Sequence, residues 1–490
     1  MPIEHIIVLM LENRSFDHLL AYSGIEGLSG IDTSKTNPGV TGPVAMSNTA
    51  PDRMTHDPGH EFEDVDWQIY GAPPAATPRP VTLTGFANRG WPQAMQCATP
   101  ELAPVLTHLA REFLVCDNWF ASMPGPTWPN RFFVHAGSSG GLANSPSGLT
   151  SFGSVLLSQV GFSFQHGTLY DALTKAGKSW RIYHGDHFPQ VCAIDTMPSV
   201  FVASKDKFRP FKAFAKDAAA AGLANYTFIE PNYSILSTFR NGDSQHPAGT
   251  LSAGERLIGT VAKAVMESPS WGSSMLIILY DEHGGFYDQV PPPAGCTPPG
   301  DAAFNAEKAA KPPKPAFAFD RYGIRVPAVV VSPWVKPRTV SHDLYDHASV
   351  IRTVFDVFGI PGQLTNRDGK ATSLAPLIQK NLQVVAPPTV PSVPPAPAPH
   401  VAAEFAASAI EPTPYSHSVD GFTRIAAQVH HALLNYQAGM QPHELQAAAA
   451  ALPNLAALPL LPKTASQDEA RAYIAGVAML VETHRLRQGP

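Results

Sequence analysis

Two apolar runs end in adjacent oxygen-bearing residues, and these are the first places where the sequence could do chemistry. They are Ile6–Leu11, which stops at Glu12–Asn13, and Met275–Leu279, which stops shortly before Asp281–Glu282. Carboxylate and amide oxygens are the ligands that hard divalent cations prefer. Gly284–Gly285 then lets the backbone turn closely around an ion or a phosphate. Either acidic pair alone also fits the start of a helix. Together the two pairs predict a metal site.

The stretch M-P-G-P-T-W-P-N-R, residues 123–131, contains a single hydroxyl group, that of Thr127. It lies in a turn rich in Pro and Gly, ahead of a helix that we expect to start near Pro129. Unpaired N–H groups at a helix start attract anions, so the hydroxyl is suited to phosphoryl transfer. Asn130 and Arg131 add donors for phosphate oxygens, the arginine through two parallel bonds. The competing interpretation is that T-W-P-N only caps the helix.

Several histidines stand beside aspartates in loops rich in Gly and Pro. His56 and His60 share the segment T-H-D-P-G-H-E-F-E-D-V, and His246 follows Asp243 in N-G-D-S-Q-H-P-A-G. An isolated histidine is more often structural than catalytic. Several of them beside aspartates are better explained by a polar site that needs general acids and cationic donors.

Short apolar runs that alternate with helical patterns must position these groups. The alternation predicts an α/β fold, a doubly wound and mostly parallel sheet with helices on both faces, plus a C-terminal helical segment. In such sheets ligands bind beyond the carboxyl ends of the strands. The predicted strands are Ile6–Leu11, Phe113–Cys116, Trp180–Tyr183, Tyr226–Ile229, Met275–Leu279 and Val326–Val331; the predicted helices are Glu101–Arg111, Phe211–Ala221, Gly254–Met266 and Ala348–Phe358.

A Pro-rich stretch, V-V-A-P-P-T-V-P-S-V-P-P-A-P-A-P, divides the chain. It predicts a catalytic domain over residues 1–383, a stiff linker over 384–400 and a helical region over 401–490. Three helices are expected in that last region: Asp420–Tyr436, Pro442–Ala451 and Gln467–Arg487. Its apolar faces are expected to pack on the catalytic domain or to form a homo-oligomer, without supplying catalytic groups. Contact with a membrane surface is the alternative.

Composition and charge indicate which partners the protein binds and in which cellular compartment it is expected. The 490 residues carry a formal charge of −6, which argues against a broad nucleic-acid-binding surface. The four cysteines lack metal-ligand spacing and are expected to be free thiols. The sequence shows neither a signal peptide, with its basic start and apolar core, nor an apolar span of membrane length. It therefore predicts a soluble, cytoplasmic protein.

Four motifs in one order carry a resemblance: E-N-R-S-F-D-H, T-x-P-N-R, I-E-P-N and D-E-H-G-G-F-Y-D. Together they resemble the phosphoesterase family of bacterial and plant non-specific phospholipases C and related acid phosphatases, in the alkaline phosphatase superfamily. The resemblance runs from residue 3 to about residue 380. Many relatives continue the last motif with His before Val, where this chain has Gln289, so its pH profile or substrate range is expected to differ.

The resemblance implies a ligand set for one divalent metal ion: Glu12, Asn13, Thr127, Asp281 and Glu282. Zn²⁺ or Ca²⁺ is favoured, with Mn²⁺ and Fe as alternatives. It also implies that Thr127 is the nucleophile and that Asn130, His60 and His246 face the phosphate, with Arg131 and His56 as further candidates. We interpret Arg14, Asp17 and His18 as support for the ligands.

The implied function is a metal-dependent phospholipase C. It would hydrolyse glycerophospholipids such as phosphatidylcholine through a phosphothreonine intermediate. An acid phosphatase that acts on monoesters is the alternative, and a non-catalytic phosphate- or lipid-binding module is a third possibility. A sulfatase is disfavoured, because Thr127 cannot be converted to the formylglycine that those enzymes use.

Overall fold

One eight-stranded sheet forms the centre of the molecule. The computed structural model describes residues 2–73, 79–89, 91–146, 161–234, 239–309, 311–314, 316–393, 415–438 and 467–487. Its strands are β1 (His5–Leu11), β2 (Thr36–Pro38), β3 (Pro43–Ala45), β4 (Leu114–Cys116), β5 (Trp180–His184), β6 (Phe208–Pro210), β7 (Tyr226–Glu230), β8 (Ser274–Tyr280), β9 (Ala328–Val331) and β10 (Thr339–Ser341).

The order of strands in the main sheet is β10-β4-β9-β8-β1-β7-β5-β6, and β2 and β3 form a separate hairpin. Strand β9 is antiparallel to β4 and β8, and every other pairing in the main sheet is parallel. The central strands β1 and β8 are buried almost throughout. Such burial is expected for strands that are unbroken apolar runs, because helices cover both faces of the sheet. The expected α/β fold class is confirmed.

The helices pack in two groups around the sheet. In one group α8 contacts both α3 and α7, and in the other α5, α4, α9 and α10 contact one another in that order. The helices are α1 (Phe16–Leu20), α2 (Phe62–Tyr70), α3 (Pro104–Glu112), α4 (Thr127–Ala136), α5 (Leu169–Lys175), α6 (Met197–Ala203), α7 (Phe214–Ala219), α8 (Leu251–Met266), α9 (Ala348–Phe358), α10 (Asn366–Lys370), α11 (Tyr415–Ala438) and α12 (Gln467–Arg487). Short 3₁₀ turns lie at Pro92–Met95, Gln190–Ala193, Phe211–Ala213, Trp271–Ser273, Ala306–Lys308 and Ala375–Leu377.

The C-terminal helices α11 and α12 pack on each other, and α11 also packs on α6. Their buried apolar side chains join the same core cluster as those of the main sheet. Ile425, Val429 and Leu433 on α11 are fully buried in this cluster. Helices α11 and α12 therefore share one hydrophobic core with the main sheet.

Several expected elements either differ in the structure or lie partly or wholly outside its described residues. Helix α4 begins at Thr127 rather than near Pro129, because proline is tolerated within the first turn of a helix. The expected helix Phe211–Ala221 divides into a 3₁₀ turn and the short α7. The expected helix Pro442–Ala451 and residues 394–400 of the linker lie outside the described residues.

The four cysteines, Cys97, Cys116, Cys192 and Cys296, are buried free thiols, as expected. None of the helices in the described parts of the chain is long and apolar enough to cross a membrane.

Candidate active site

The ends of β1 and β8 bring the two acidic pairs side by side. The strands are parallel neighbours, with Leu11 opposite Tyr280, so Glu12–Asn13 and Asp281–Glu282 leave the sheet together. The Asp281 Oδ1 accepts hydrogen bonds from the backbone N–H groups of Asn13 (3.1 Å) and Glu282 (2.7 Å). Asn13 has φ 63°, a left-handed conformation that asparagine tolerates better than most residues. The two pairs are therefore neighbours at the edge of the sheet, and the metal site that they would share stays a prediction.

Gly284 has φ 63° and lies against the backbone of Asn13. A Cβ atom at this position would be 2.2 Å from the Asn13 carbonyl oxygen. Only glycine can therefore occupy this position without displacing one of the two strand ends. The structure thus assigns Gly284 to the packing of one strand end on the other.

Thr127 is the first residue of α4, and its side chain lines a cavity beyond the strand ends. Its hydroxyl donates a hydrogen bond to Asn13 Oδ1 at 3.3 Å. The helix makes no side-chain cap: residue Pro126 occupies the capping position. The capping interpretation of T-W-P-N is therefore not supported, and the hydroxyl stays at the positive end of the helix dipole.

Asn130 lies behind Thr127 and does not line the cavity. Its Oδ1 accepts a hydrogen bond from the N–H of Met123, and its amide group donates to the carbonyl oxygens of Gly125 and Pro126. Both amide hydrogens are thereby used, so none remains for a phosphate oxygen. Asn130 holds the turn that presents Thr127.

Arg131 is also absent from the cavity lining, and its side chain is only 3% exposed. Its Nε donates to Asp281 Oδ2 at 2.9 Å, and its Nη2 donates to the carbonyl oxygen of Leu11 at 3.0 Å. Its guanidinium lies over the ring of Tyr233. The guanidinium therefore fixes an expected metal ligand, and it does not form the predicted bidentate contact surface for phosphate.

His60 and His246 both line the cavity, and Asp57 lies between them. Asp57 carboxylate oxygens are 4.0 Å from His60 Nδ1 and 3.6 Å from His246 Nε2. His60 Nδ1 donates to the Pro58 carbonyl oxygen at 2.8 Å, and His246 Nδ1 accepts from the N–H of Ala248 at 3.1 Å. His60 Nε2 lies 3.4 Å from Asn13 Nδ2, so this histidine contacts one of the expected metal ligands. His56, by contrast, is exposed and does not reach the cavity.

The two histidines differ in charge. Burial alone would lower the pKa of His60, but the carboxyl groups of Glu282 and Asp57 and the Pro58 carbonyl raise it to about 10. Burial lowers the pKa of His246 well below its usual value, and the nearby His60 and Arg14 lower it further. The site therefore pairs a cationic His60 with a neutral His246.

The cavity has a volume of about 40 Å³, and its lining combines carboxyl groups and histidines with aromatic rings. Sequence reasoning did not name several of its lining residues, although Glu61 and Asp64 belong to the same motif as His60 and Trp128 follows Thr127. No local signal indicated Phe239, Gln190 or Phe422. The full lining is Glu12, Asn13, Asp57, Gly59, His60, Glu61, Asp64, Pro126, Thr127, Trp128, Ser145, Gln190, Phe239, His246 and Phe422.

The donor chemistry at the strand ends fits a hard cation. Burial raises the pKa of Glu12 to about 8, and burial also raises the pKa values of Asp281 and Glu282. Three buried carboxyl groups that resist ionisation are stabilised as carboxylates by a nearby cation. The Glu282 Oε1 is buried and has no hydrogen-bond partner.

The side chains do not, however, form a complete cage. Within the described parts of the chain, no three His, Cys, Asp or Glu side chains converge on one point as metal ligands. Glu12 accepts a hydrogen bond from Ser244, and Asp281 is bonded to Arg131. The oxygens of Asn13 and Thr127 are accordingly needed to complete the predicted set.

The role of Arg14, Asp17 and His18 as support for the ligands stays a prediction, because the hydrogen bonds of their side chains go to other residues. The Arg14 guanidinium donates to the Gln245 carbonyl oxygen and contacts His18, and Asp17 accepts from Arg325 and Gln289. Gln289 also accepts a hydrogen bond from the N–H of Asp32. Gln289 does not line the cavity, and its side chain bonds to Asp17 and Asp32.

Comparison with known proteins identifies the family. The sequence profile of the Phosphoesterase family matches residues 3–361, which contain every residue of the predicted site. The chain belongs to the phosphoesterase family. Non-specific phospholipase C5 of Arabidopsis thaliana is 34% identical over 411 residues, covering 78% of this chain and 75% of that protein. Phospholipase C B of Mycobacterium tuberculosis is 28% identical, covering 73% and 74%. Phosphoesterase membership makes this chain a phosphoric ester hydrolase.

Solved structures give a weaker likeness. An alkaline phosphatase superfamily protein from Vibrio parahaemolyticus shares 13% identity with a TM-score of 0.33, covering 72% of this chain and 76% of that one. A phosphonate monoester hydrolase of Agrobacterium radiobacter shares 9% identity with a TM-score of 0.35, covering 78% and 79%. Likenesses at this level do not bear on the chemistry of the site.

Proposed function

We propose that this phosphoesterase is a phospholipase C that cleaves glycerophospholipids such as phosphatidylcholine into diacylglycerol and a phosphorylated head group. The observation that carries the proposal is the Thr127 hydroxyl at the start of α4, which faces the cavity and donates to Asn13. The relatives named phospholipases C support it. A lipid substrate also implies transient contact with a membrane surface.

In the first step Thr127 Oγ1 loses its hydroxyl proton to solvent and attacks phosphorus, and the bond to the alcohol oxygen breaks on the opposite side. The departing diacylglycerol oxygen takes a proton from His60, whose raised pKa keeps it protonated at neutral pH. In the second step water attacks the phosphothreonine and His60 takes a proton from that water. The bond between phosphorus and Thr127 Oγ1 then breaks, the phosphorylated head group leaves, and Oγ1 regains a proton from solvent. Asp57 keeps the two imidazoles in place during both steps.

Five residues would hold a divalent cation: Glu12, Asn13, Thr127, Asp281 and Glu282. When bound, it would supply the positive charge that favours an ionised threonine oxygen over a hydroxyl. The chain itself contributes the orientation: Asn130 fixes the turn before Thr127, and Arg131 fixes Asp281. Oxygen donors suit Ca²⁺ or Mn²⁺, and the superfamily resemblance also admits Zn²⁺ or Fe.

The charge of the lining favours a diester. It contains four carboxyl groups, those of Glu12, Asp57, Glu61 and Asp64, two histidines and no lysine or arginine. A phosphomonoester dianion would need more positive charge than this lining offers, whereas a diester carries a single negative charge. The lining therefore supports a phospholipase C over the alternative acid phosphatase.

The test compares kcat/KM for p-nitrophenylphosphorylcholine and p-nitrophenyl phosphate across pH 5 to 9, with Thr127→Ala as the blank. We expect the diester to be preferred at every pH. A tenfold or larger preference for the monoester, about 1.4 kcal/mol of transition-state discrimination, would instead identify an acid phosphatase. The absence of turnover of both substrates by metal-loaded protein would favour the non-catalytic binding module.

A further inference from the structure

The ring of Phe422 lines the active-site cavity although the residue belongs to the C-terminal helix α11. Its side chain is 1% exposed. The Phosphoesterase profile ends at residue 361, so Phe422 lies outside the segment that identifies the family. A part of the chain with no recognised motif thus forms part of the wall of the site.

Helix α11 is held closely against the residue that follows the nucleophile. A Cβ atom on Gly421 would lie 2.3 Å from Cζ2 of Trp128, so glycine is required for this approach. Phe422 then makes an edge contact with Trp128, with ring centroids 5.8 Å apart, and a tilted contact with Tyr233 at 5.7 Å. Further along α11, Gln428 donates to the Ala193 carbonyl oxygen at 3.1 Å. The position of Phe422 is therefore determined by packing on several sides.

The location of this wall indicates which part of a substrate it meets. In-line attack places the departing alcohol on the side of phosphorus opposite Thr127. Trp128 follows the nucleophile in the chain and Phe422 packs on Trp128, so both are beside the groups that stay on phosphorus. The Phe422 ring has no donor for a charged phosphate oxygen, but it attracts an alkyl or methylated ammonium group through its face.

We propose that Phe422 is a specificity-determining residue that, with Trp128, receives the head-group substituent retained on phosphorus. A diester has this substituent and a monoester lacks it. The inference rests on the proposed function, and it names a choline-type head group as the chemistry that this aromatic wall recognises.

The experiment measures the ratio of kcat/KM for p-nitrophenylphosphorylcholine to that for p-nitrophenyl phosphate. Both substrates release p-nitrophenol, so they differ only in the retained choline ester. Phe422→Leu removes the aromatic face but keeps apolar bulk, and we expect it to lower the ratio roughly tenfold. Phe422→Tyr keeps the face, and we expect it to restore most of the ratio.

Val429→Ala is the matched control, because Val429 is fully buried on the same helix and does not line the cavity. It should lower the Tm while the ratio stays within twofold of wild type. The inference is overturned if Phe422→Leu lowers the ratio less than threefold, or if Val429→Ala lowers it equally. A wild-type protein without diester turnover would overturn the proposed function as well, whereas a diester preference that Phe422→Leu leaves unchanged would overturn this inference alone.

Discussion

Replacing Arg131 by methionine distinguishes a phosphate-binding arginine from one that holds the fold of the site. Its Nε is 2.9 Å from Asp281 Oδ2, and the two side chains are 3% and 0% exposed. Its Nη2 also donates to the carbonyl oxygen of Leu11 at the end of β1. Methionine keeps the apolar stem of the side chain but removes the charge and every donor. The substitution therefore leaves the Asp281 carboxyl group buried without its cation.

Removing one partner of a buried ion pair costs about 3–5 kcal/mol, because the other charge stays desolvated. The lost bond to the Leu11 carbonyl adds about 1 kcal/mol. Burial already raises the pKa of Asp281, so protonation of this carboxyl group offsets part of the loss. We expect the free energy of unfolding to fall by roughly 4 kcal/mol.

Arg321→Met is the matched control. Arg321 pairs with Asp66 at the same distance of 2.9 Å, but its side chain is 32% exposed and Asp66 keeps a second partner in Arg79. A pair of this kind contributes about 1 kcal/mol or less. Urea unfolding of both variants, followed by circular dichroism, measures the difference. A stable Arg131→Met protein whose KM alone is raised would refute the structural role and return Arg131 to the phosphate.

Three further predictions concern the nucleophile, the cation and the strand ends. Thr127→Ala should lower turnover by about three orders of magnitude or more without changing the Tm, and Thr127→Ser should retain measurable turnover; wild-type rates in the alanine variant would rule out the covalent mechanism. Each of four ligand substitutions should lower both the metal content by elemental analysis and the rate: Glu12→Gln, Asn13→Ala, Asp281→Asn and Glu282→Gln. Active wild-type protein without stoichiometric metal would disprove that site. Gly284→Ala should lower the free energy of unfolding by about 2 kcal/mol or more, measured by thermal unfolding. The cost of a left-handed φ adds to that of the overlap between the new Cβ and the Asn13 carbonyl oxygen. Gly272→Ala, where a Cβ meets nothing within 4 Å, should be neutral, and equal Tm values for the two would contradict the packing role.

The strands and the converging acidic pairs could be predicted because each depends on local pattern and one general rule. An unbroken apolar run such as Ile6–Leu11 can only be satisfied by burial on both faces, and parallel strands end at the same edge of a sheet. The start of α4 was placed two residues late, because Pro129 is compatible with either the first turn or the position before it.

The destinations of long side chains could not be predicted in this way. Arg131 has the same sequence neighbours whether it points to a phosphate or to Asp281, and tertiary packing decides between them. Phe422 belongs to an apolar helical pattern that looks like any core-facing helix, so nothing local distinguishes a cavity wall from a core residue. Asp57 stood in the motif with His60, but only the fold brings it next to His246.

The central position of β1 has a consequence for how the protein is made. This strand is synthesised first, but its neighbours in the sheet are β7 and β8, and Asn13 and its partner Asp281 are 268 positions apart in the chain. At roughly 5–20 residues per second, the ribosome needs about 13 to 54 seconds to supply that partner. Until β7 is made, at Tyr226–Glu230, this apolar strand has left the ribosome without a neighbour in the sheet. We therefore expect nascent chains of this protein to depend on chaperones that shield extended apolar segments, and slower translation between residues 20 and 270 to increase aggregation.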